Sequence, residues 1–243
     1  YHIGGIETQA YEVIKNYPKG NISFLINTDS KIKDAEDRFI EIKKDNKIKE
    51  IKNLSSRYSI FIIRDIFWFS RKNKINNIII YPSHKKMLFV VLGAKLAGIN
   101  NIFISLQNTL YGKKISTIYK IRIIFFLFNI LGVFFVPATK SIYNSFSQNK
   151  IKLRKFEIIY NSCDFDYINF LSTKYKKSYS KNIKNIVMIS RLDSIKDQET
   201  LLEAFSKLKE PLWRLKIVGD GPKMNSLKKV ARRYDLPVIH PNF

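Results

Sequence analysis

The chain has 243 residues, 45% of them hydrophobic, which suits one complete domain with a packed core and a partial second one. Its 43 lysines and arginines against 20 acidic residues give a formal charge of +23, which predicts polyanionic partners: nucleic acid, an anionic bilayer surface or a phosphorylated substrate. The single cysteine, Cys163, excludes an internal disulfide and fits a reducing cytoplasm.

In chain order, apolar runs predict strands at ISFLIN (22–27), YSIFII (58–63), NIIIY (77–81), NIFISL (101–106) and VFFVP (133–137), alternating with polar or helical segments such as Met87 to Ala97. That alternation is the pattern of a doubly wound α/β sheet. The longest apolar run, Ile123 to Val136, is shorter than the ~18 residues of a spanning helix. It reads as the end of a buried helix followed by a strand. Just before it, Lys113, Lys114, Lys120 and Arg122 interleave with Ile115, Ile118, Tyr119 and Ile121, so a helix there combines cations with apolar surface as interfacial helices do. The same spacing also fits apolar positions packed inward beneath solvated cations. Nucleic acid is disfavoured, because no helix-turn-helix, zinc finger or RNP-type strand accompanies the charge.

Leu171 to Asn182, with four lysines and no acid, reads as a linker. It separates an expected N-terminal domain, residues 1–175, from a partial second domain, residues 180–243.

Beyond the linker come a strand over IVMIS (186–190), then Arg191 and Lys196, an amphipathic helix containing TLLEAF, a second strand RLKIVG and the turn Gly219-Asp220-Gly221-Pro222 leading into another helix. These are two successive β-α units of a parallel sheet, and ligands of such sheets gather at the carboxyl ends of strands. Arg191 offers a rigid fork of donors for phosphate oxygens and Lys196 a mobile point charge, so a diphosphate uses both. Gly219 and Gly221 allow close backbone approach, and Pro222 suits the first turn of a helix. Taken singly, each motif also fits an ordinary strand-to-helix turn with solvated cations.

As an ordered set, Ser190-Arg191-Leu192-Asp193, Lys196, TLLEAF, Val218-Gly219-Asp220-Gly221-Pro222 and LKKVARRYDL closely resemble the nucleotide-sugar domain of glycosyltransferase family 4, which has the GT-B fold. The resemblance implies a Rossmann-like N-terminal domain and a partial Rossmann-like C-terminal one, with Arg191 and Lys196 binding the donor diphosphate and Gly219, Asp220, Gly221 and Pro222 beside the donor pocket. Gly4-Gly5-Ile6-Glu7 resembles the family's glycine loop after its first strand. Ile159 to Asp164 resembles the segment ahead of its interdomain linker, with Ser162 where the family has glycine and Cys163 at an apolar position, hence a small buried packing residue. After NIFISL, where the family often has histidine and glycine, this chain has Gln107-Asn108. Gln107 can hydrogen-bond sugar hydroxyls and cannot shuttle a proton.

The resemblance implies a retaining hexosyltransferase that takes a nucleotide diphosphate sugar, with no further cofactor, to a saccharide or lipid-linked saccharide acceptor in cell-surface polysaccharide assembly. It would lie in the cytoplasm, peripheral on the inner face of the membrane. Gly4, Gly5, Gln107 and His84 are expected on the acceptor side, and no catalytic residue is assigned. No metal is expected, since His2, His84 and His240 are far apart and lack cysteine spacing. The opening on Tyr1-His2 without methionine, and the lack of the family's two-glutamate motif before Phe243, lead us to expect a fragment. Two alternatives stay open: a GT-B epimerase acting on the nucleotide sugar itself, and a non-catalytic basic protein that binds surfaces with the same fold. A nicotinamide-dependent oxidoreductase is disfavoured, because no Gly-x-Gly-x-x-Gly follows a strand.

Overall fold

The computed structural model describes residues 5–16, 23–27, 48–53, 59–81, 86–175, 183–208, 210–234, 236 and 239–240. The chain divides into two compact units, Tyr1–Asp164 and Phe165–Phe243.

The first unit runs α1 (Gly5–Lys15), β1 (Ser23–Asn27), β2 (Ile48–Asn53), α2 (Ser59–Lys72), β3 (Asn77–Ile80), α3 (Met87–Leu96), β4 (Asn101–Leu106), α4 (Ile115–Ile130), β5 (Phe134–Pro137) and α5 (Lys140–Gln148). β1 pairs with β2, and β3, β4 and β5 lie side by side in that order, every pairing parallel. Ile102, Ile104, Ser105 and Leu106 of β4 are all buried, as befits a central parallel strand with both faces covered. Phe125 of α4 stacks on Phe135 of β5 with ring centres 5.2 Å apart and meets Phe146 of α5 at 5.0 Å. Burying each such ring stabilises the unit by roughly 1.5–3 kcal/mol.

Two expectations change here. Residues 59–63 of YSIFII open α2 and are not a strand. The buried positions Ile62, Ile66, Phe69 and Ser70 recur at helical spacing, a period that a six-residue apolar run is too short to reveal. The run Ile123 to Val136 does pass from helix into strand, but α4 is fully buried only at Phe125 and Phe128. Strand β2, whose sequence is IKEIKN, was not anticipated, because its lysines and glutamate read as solvated surface.

The second unit runs α6 (Phe165–Lys174), β6 (Lys184–Ile189), α7 (Gln198–Ser206), β7 (Trp213–Val218), α8 (Met224–Arg233) and β8 (Ile239–His240). Its strands form a parallel sheet in the order β6-β7-β8. In β7, Leu215 and Ile217 are buried while Arg214 and Lys216 are exposed, the two-residue alternation of a strand with one covered face. That face packs on Leu202 of α7 and on Leu227 and Ala231 of α8, one helical turn apart. Of the stretch read as a linker, residues 171–174 complete α6 and 176–182 lie outside the described residues. Among the described residues no helix is long and apolar enough to cross a membrane.

Candidate functional site

The loop after β6 is ordered by its own polar side chains. Ser190 extends the sheet by donating its amide to the Val218 carbonyl at 3.1 Å, and the chain then turns away from the strand. Arg191 Nε donates to Asp193 Oδ2 at 2.8 Å, and the Ile195 amide donates to Asp193 Oδ1 at 3.1 Å. The Lys196 amide donates to the Asp193 carbonyl at 3.2 Å, so one residue ties both ends of the cationic loop. From beneath, the buried Gln198 amide donates to the Arg191 carbonyl at 2.9 Å and to Ser190 Oγ at 3.1 Å.

Burial pushes the Asp193 carboxyl up, but the Arg191 hydrogen bond, the Ile195 amide, the Arg191 charge and the Lys196 amide together hold it below its ordinary value of 3.8. Asp193 is therefore an anion at neutral pH and fixes the guanidinium through Nε. No other acceptor among the described residues engages the Arg191 side chain, which is about half exposed. Its remaining donors are available to an oxyanion, and Lys196 is exposed on the same loop.

The glycine turn packs against this loop. The Leu192 amide donates to the Asp220 carbonyl at 2.8 Å, and the Lys223 amide donates to the Leu192 carbonyl at 3.0 Å. A Cβ on Gly219 would stand 1.9 Å from the Ser190 carbonyl oxygen, and one on Gly221 would stand 2.3 Å from that of Leu192. The close approach these glycines permit is thus to the Ser190–Leu192 backbone, and it sets the height of the Arg191 loop over the sheet. Asp220 accepts the Gly221 amide, and Pro222 is exposed one residue ahead of Lys223, the N-cap of α8. Pro222 therefore precedes the helix instead of forming its first turn.

In the first unit, Gln107 follows β4 and donates from Nε2 to Ser105 Oγ at 2.7 Å. Gln107 and Asn161 exchange amide hydrogen bonds, at 2.9 Å from Asn161 and 3.3 Å from Gln107. Next along the chain, Ser162 pairs in the same reciprocal way with Gln9 of α1, at 2.8 Å and 3.3 Å. The segment 161–162 is thereby held to the carboxyl end of β4 and to α1 together. Serine fits at position 162 because its backbone amide and carbonyl make the contact. Cys163, expected to be buried, is exposed, since this anchored segment runs over the surface. Gly5 opens α1, whereas Gly4 and His84 lie outside the described residues.

The polar residues that organise these two places, Asp193, Gln198, Asn161 and Gln9, carried no assigned role in the sequence reading. Gln198 left a signal, since it stands a turn before Leu202 on the face that α7 buries. Among the described residues no group of histidine, cysteine, aspartate and glutamate could hold a metal ion.

Residues 172–240 match the family model described as glycosyl transferases group 1. No curated protein sequence matches the chain. Among solved structures, HepE from Anabaena in complex with UDP superposes with a TM-score of 0.69 at 16% identity over 97% of this chain. The lipopolysaccharide outer core galactosyltransferase WaaB, in its apo form, gives 0.62 at 14% over 98%. The UDP-GlcNAc 2-epimerase from Neisseria meningitidis bound to UDP-GlcNAc gives 0.59 at 13% over 98%, and the match takes in 68% of that protein. The chain spans 64% of the length of each of the first two. The parallel sheets of this chain, together with these superpositions, give it a GT-B type α/β fold.

Proposed function

We propose that the protein is a glycosyltransferase that moves a hexose from a nucleotide diphosphate sugar to a saccharide or lipid-linked saccharide acceptor, with retention of anomeric configuration, in cell-surface polysaccharide assembly. The observation that carries this reading is the loop Arg191–Lys196, held open at the carboxyl end of β6 by Asp193 and Gln198 within the segment that matches the group 1 model. Two of the structures it resembles hold UDP or UDP-GlcNAc, which supports a nucleotide sugar as donor.

In the proposed mechanism Arg191 and Lys196 bind the donor diphosphate and neutralise the charge that grows on it as the glycosidic bond breaks. Preorganised cations stabilise such a leaving group without reorganising at the moment of reaction. Gln107, its amide oriented by Asn161, meets acceptor hydroxyls. The reaction takes place in the cytoplasm, consistent with one cysteine and no disulfide.

Calorimetric titration of UDP into the parent protein, Arg191→Ala and Lys196→Ala tests the donor assignment. Each substitution is expected to weaken binding by about 1.5–3 kcal/mol, the scale of a lost hydrogen bond to a charged group. Unchanged affinity in both variants would remove the assignment. A second reading, nucleotide-sugar epimerase, draws on the likeness to the Neisseria enzyme. Conversion of UDP-GlcNAc to its C2 epimer without any acceptor would favour it over transfer.

A further inference from the structure

Helix α4 is apolar on nearly every side, a composition that ordinarily marks a helix covered all round. Here Ile115, Tyr119, Ile123, Phe126 and Ile130 are each more than half exposed. At 3.6 residues per turn these five fall within an arc of about 80°, and the stripe extends over roughly 24 Å. A continuous exposed apolar strip of this size marks an interaction surface.

Its rim is cationic. Between Asp65 and Glu157 the sequence holds fifteen lysines and arginines and no acidic residue. Lys113 and Lys114 precede the helix, and Lys120 lies on its exposed side. A second set is brought in by tertiary structure: Asn129 of α4 donates to the Lys152 carbonyl at 2.7 Å and accepts the Arg154 amide at 2.9 Å. That pins the exposed residues Lys152, Arg154 and Lys155 alongside the carboxyl end of the helix. Among the described residues none of these six cations has an ion-pair partner. Arg122, grouped by the sequence with the solvated cations, has a different task. Its Nε donates to the Asn149 carbonyl at 2.8 Å and its guanidinium lies 5.1 Å from the centre of the Tyr119 ring, so it braces the helix against the 149–155 segment.

We infer that the exposed face of α4 and the segment Lys152–Lys155 form one surface that docks on an anionic lipid bilayer. The apolar stripe enters the boundary between headgroups and acyl chains, and the flanking cations meet lipid phosphates. Charge selects this occupant. A second copy of the chain would bring its own surplus of +23 to the contact, and nucleic acid, which is held through donors to phosphates and base edges, would find on this stripe one hydroxyl, that of Tyr119, among three isoleucines and a phenylalanine. The inference concerns a face of the first unit, whereas the Arg191 loop belongs to the second, and it stands whether or not the protein transfers a sugar.

Cosedimentation with phosphatidylcholine vesicles, with and without phosphatidylglycerol, tests it. The parent protein should bind the phosphatidylglycerol vesicles and release them as salt rises, with little binding to phosphatidylcholine alone. Lys152→Gln, Arg154→Gln and Lys155→Gln combined should weaken binding by about fivefold per cation removed. The pair Ile123→Gln and Phe126→Gln should weaken it with the circular dichroism spectrum and UDP affinity unchanged. Equal binding by the triple variant and the parent would overturn the inference. So would concentration-dependent self-association abolished by the Ile123 and Phe126 changes, or duplex DNA binding that matches vesicle binding and ignores those changes.

Discussion

Arg191 Nε and Asp193 Oδ2 stand 2.8 Å apart across a two-residue step, and this pair leaves the rest of the guanidinium presented from the loop. Asp193 is buried and also takes the Ile195 amide, so under the proposed donor assignment it would act on the diphosphate through Arg191 and through the loop backbone. We predict that Asp193→Asn weakens UDP binding although it removes a negative charge from the neighbourhood of an anion. Simple electrostatics gives the opposite sign, so a calorimetric gain in affinity would show that Asp193 does not position the loop. The loss should be smaller than for Arg191→Ala, since the cation itself remains.

The same carboxylate sets a pH signature. Its value in the folded protein lies below the ordinary 3.8, so its stabilising contribution is complete above that value and is lost as pH falls through the depressed one. The melting temperature of the parent should therefore exceed that of Asp193→Asn at neutral pH, with the gap closing only on acidification below about pH 4. A gap that stays constant down to strong acid would mean that Asp193 is not held as an anion in the fold.

Gly219 and Gly221, at φ 149° and 155°, occupy backbone conformations that other residues rarely adopt, and their missing side chains make room for the Ser190 and Leu192 carbonyls. Alanine at a flexible loop glycine commonly stabilises a protein by about 0.4–1 kcal/mol. Here Gly221→Ala should destabilise by about 1–3 kcal/mol or more, because strain and a backbone clash coincide. Urea unfolding reads the first effect, and UDP titration reads the accompanying displacement of the Arg191 loop. A stability equal to or above the parent's would show that the two loops do not interlock as described.

What the sequence made legible was the part of the fold carried by periodicity and by spacing. ISFLIN, NIFISL, VFFVP and RLKIVG announce strands because their apolar residues are β-branched or aromatic and are bounded by polar or turn residues. YSIFII shares that composition and is helical, because α2 continues for nine further residues to Lys72, placing Ile66 and Phe69 where Ile62 already points. At the candidate site the cations and glycines stood out by residue type. Their supports did not: Asp193 and Gln198 act on main-chain amides and carbonyls, and Asn161 meets Gln107 from 54 residues away. Arg122 shows the converse, a conspicuous cation used for packing. Contacts between side chains and distant backbone leave no periodic trace along a chain.

The amide exchange between Gln107 and Asn161 allows the proposed acceptor role to be tested apart from the proposed donor role. Both residues are partly solvated, so a double-mutant cycle of Gln107→Ala and Asn161→Ala should give a coupling at the low end of the range for contacting residues, about 0.5–1 kcal/mol in stability. If Gln107 meets acceptor hydroxyls and Asn161 orients it, both single substitutions should lower kcat/KM for the acceptor and leave UDP affinity unchanged, with Asn161→Ala the milder of the two. Adding it to Gln107→Ala should then cost little more, because the residue it orients is already gone. Additive losses in kcat/KM from the two changes would show that Asn161 acts on the reaction independently, and a parallel fall in UDP affinity would move Gln107 out of the acceptor role.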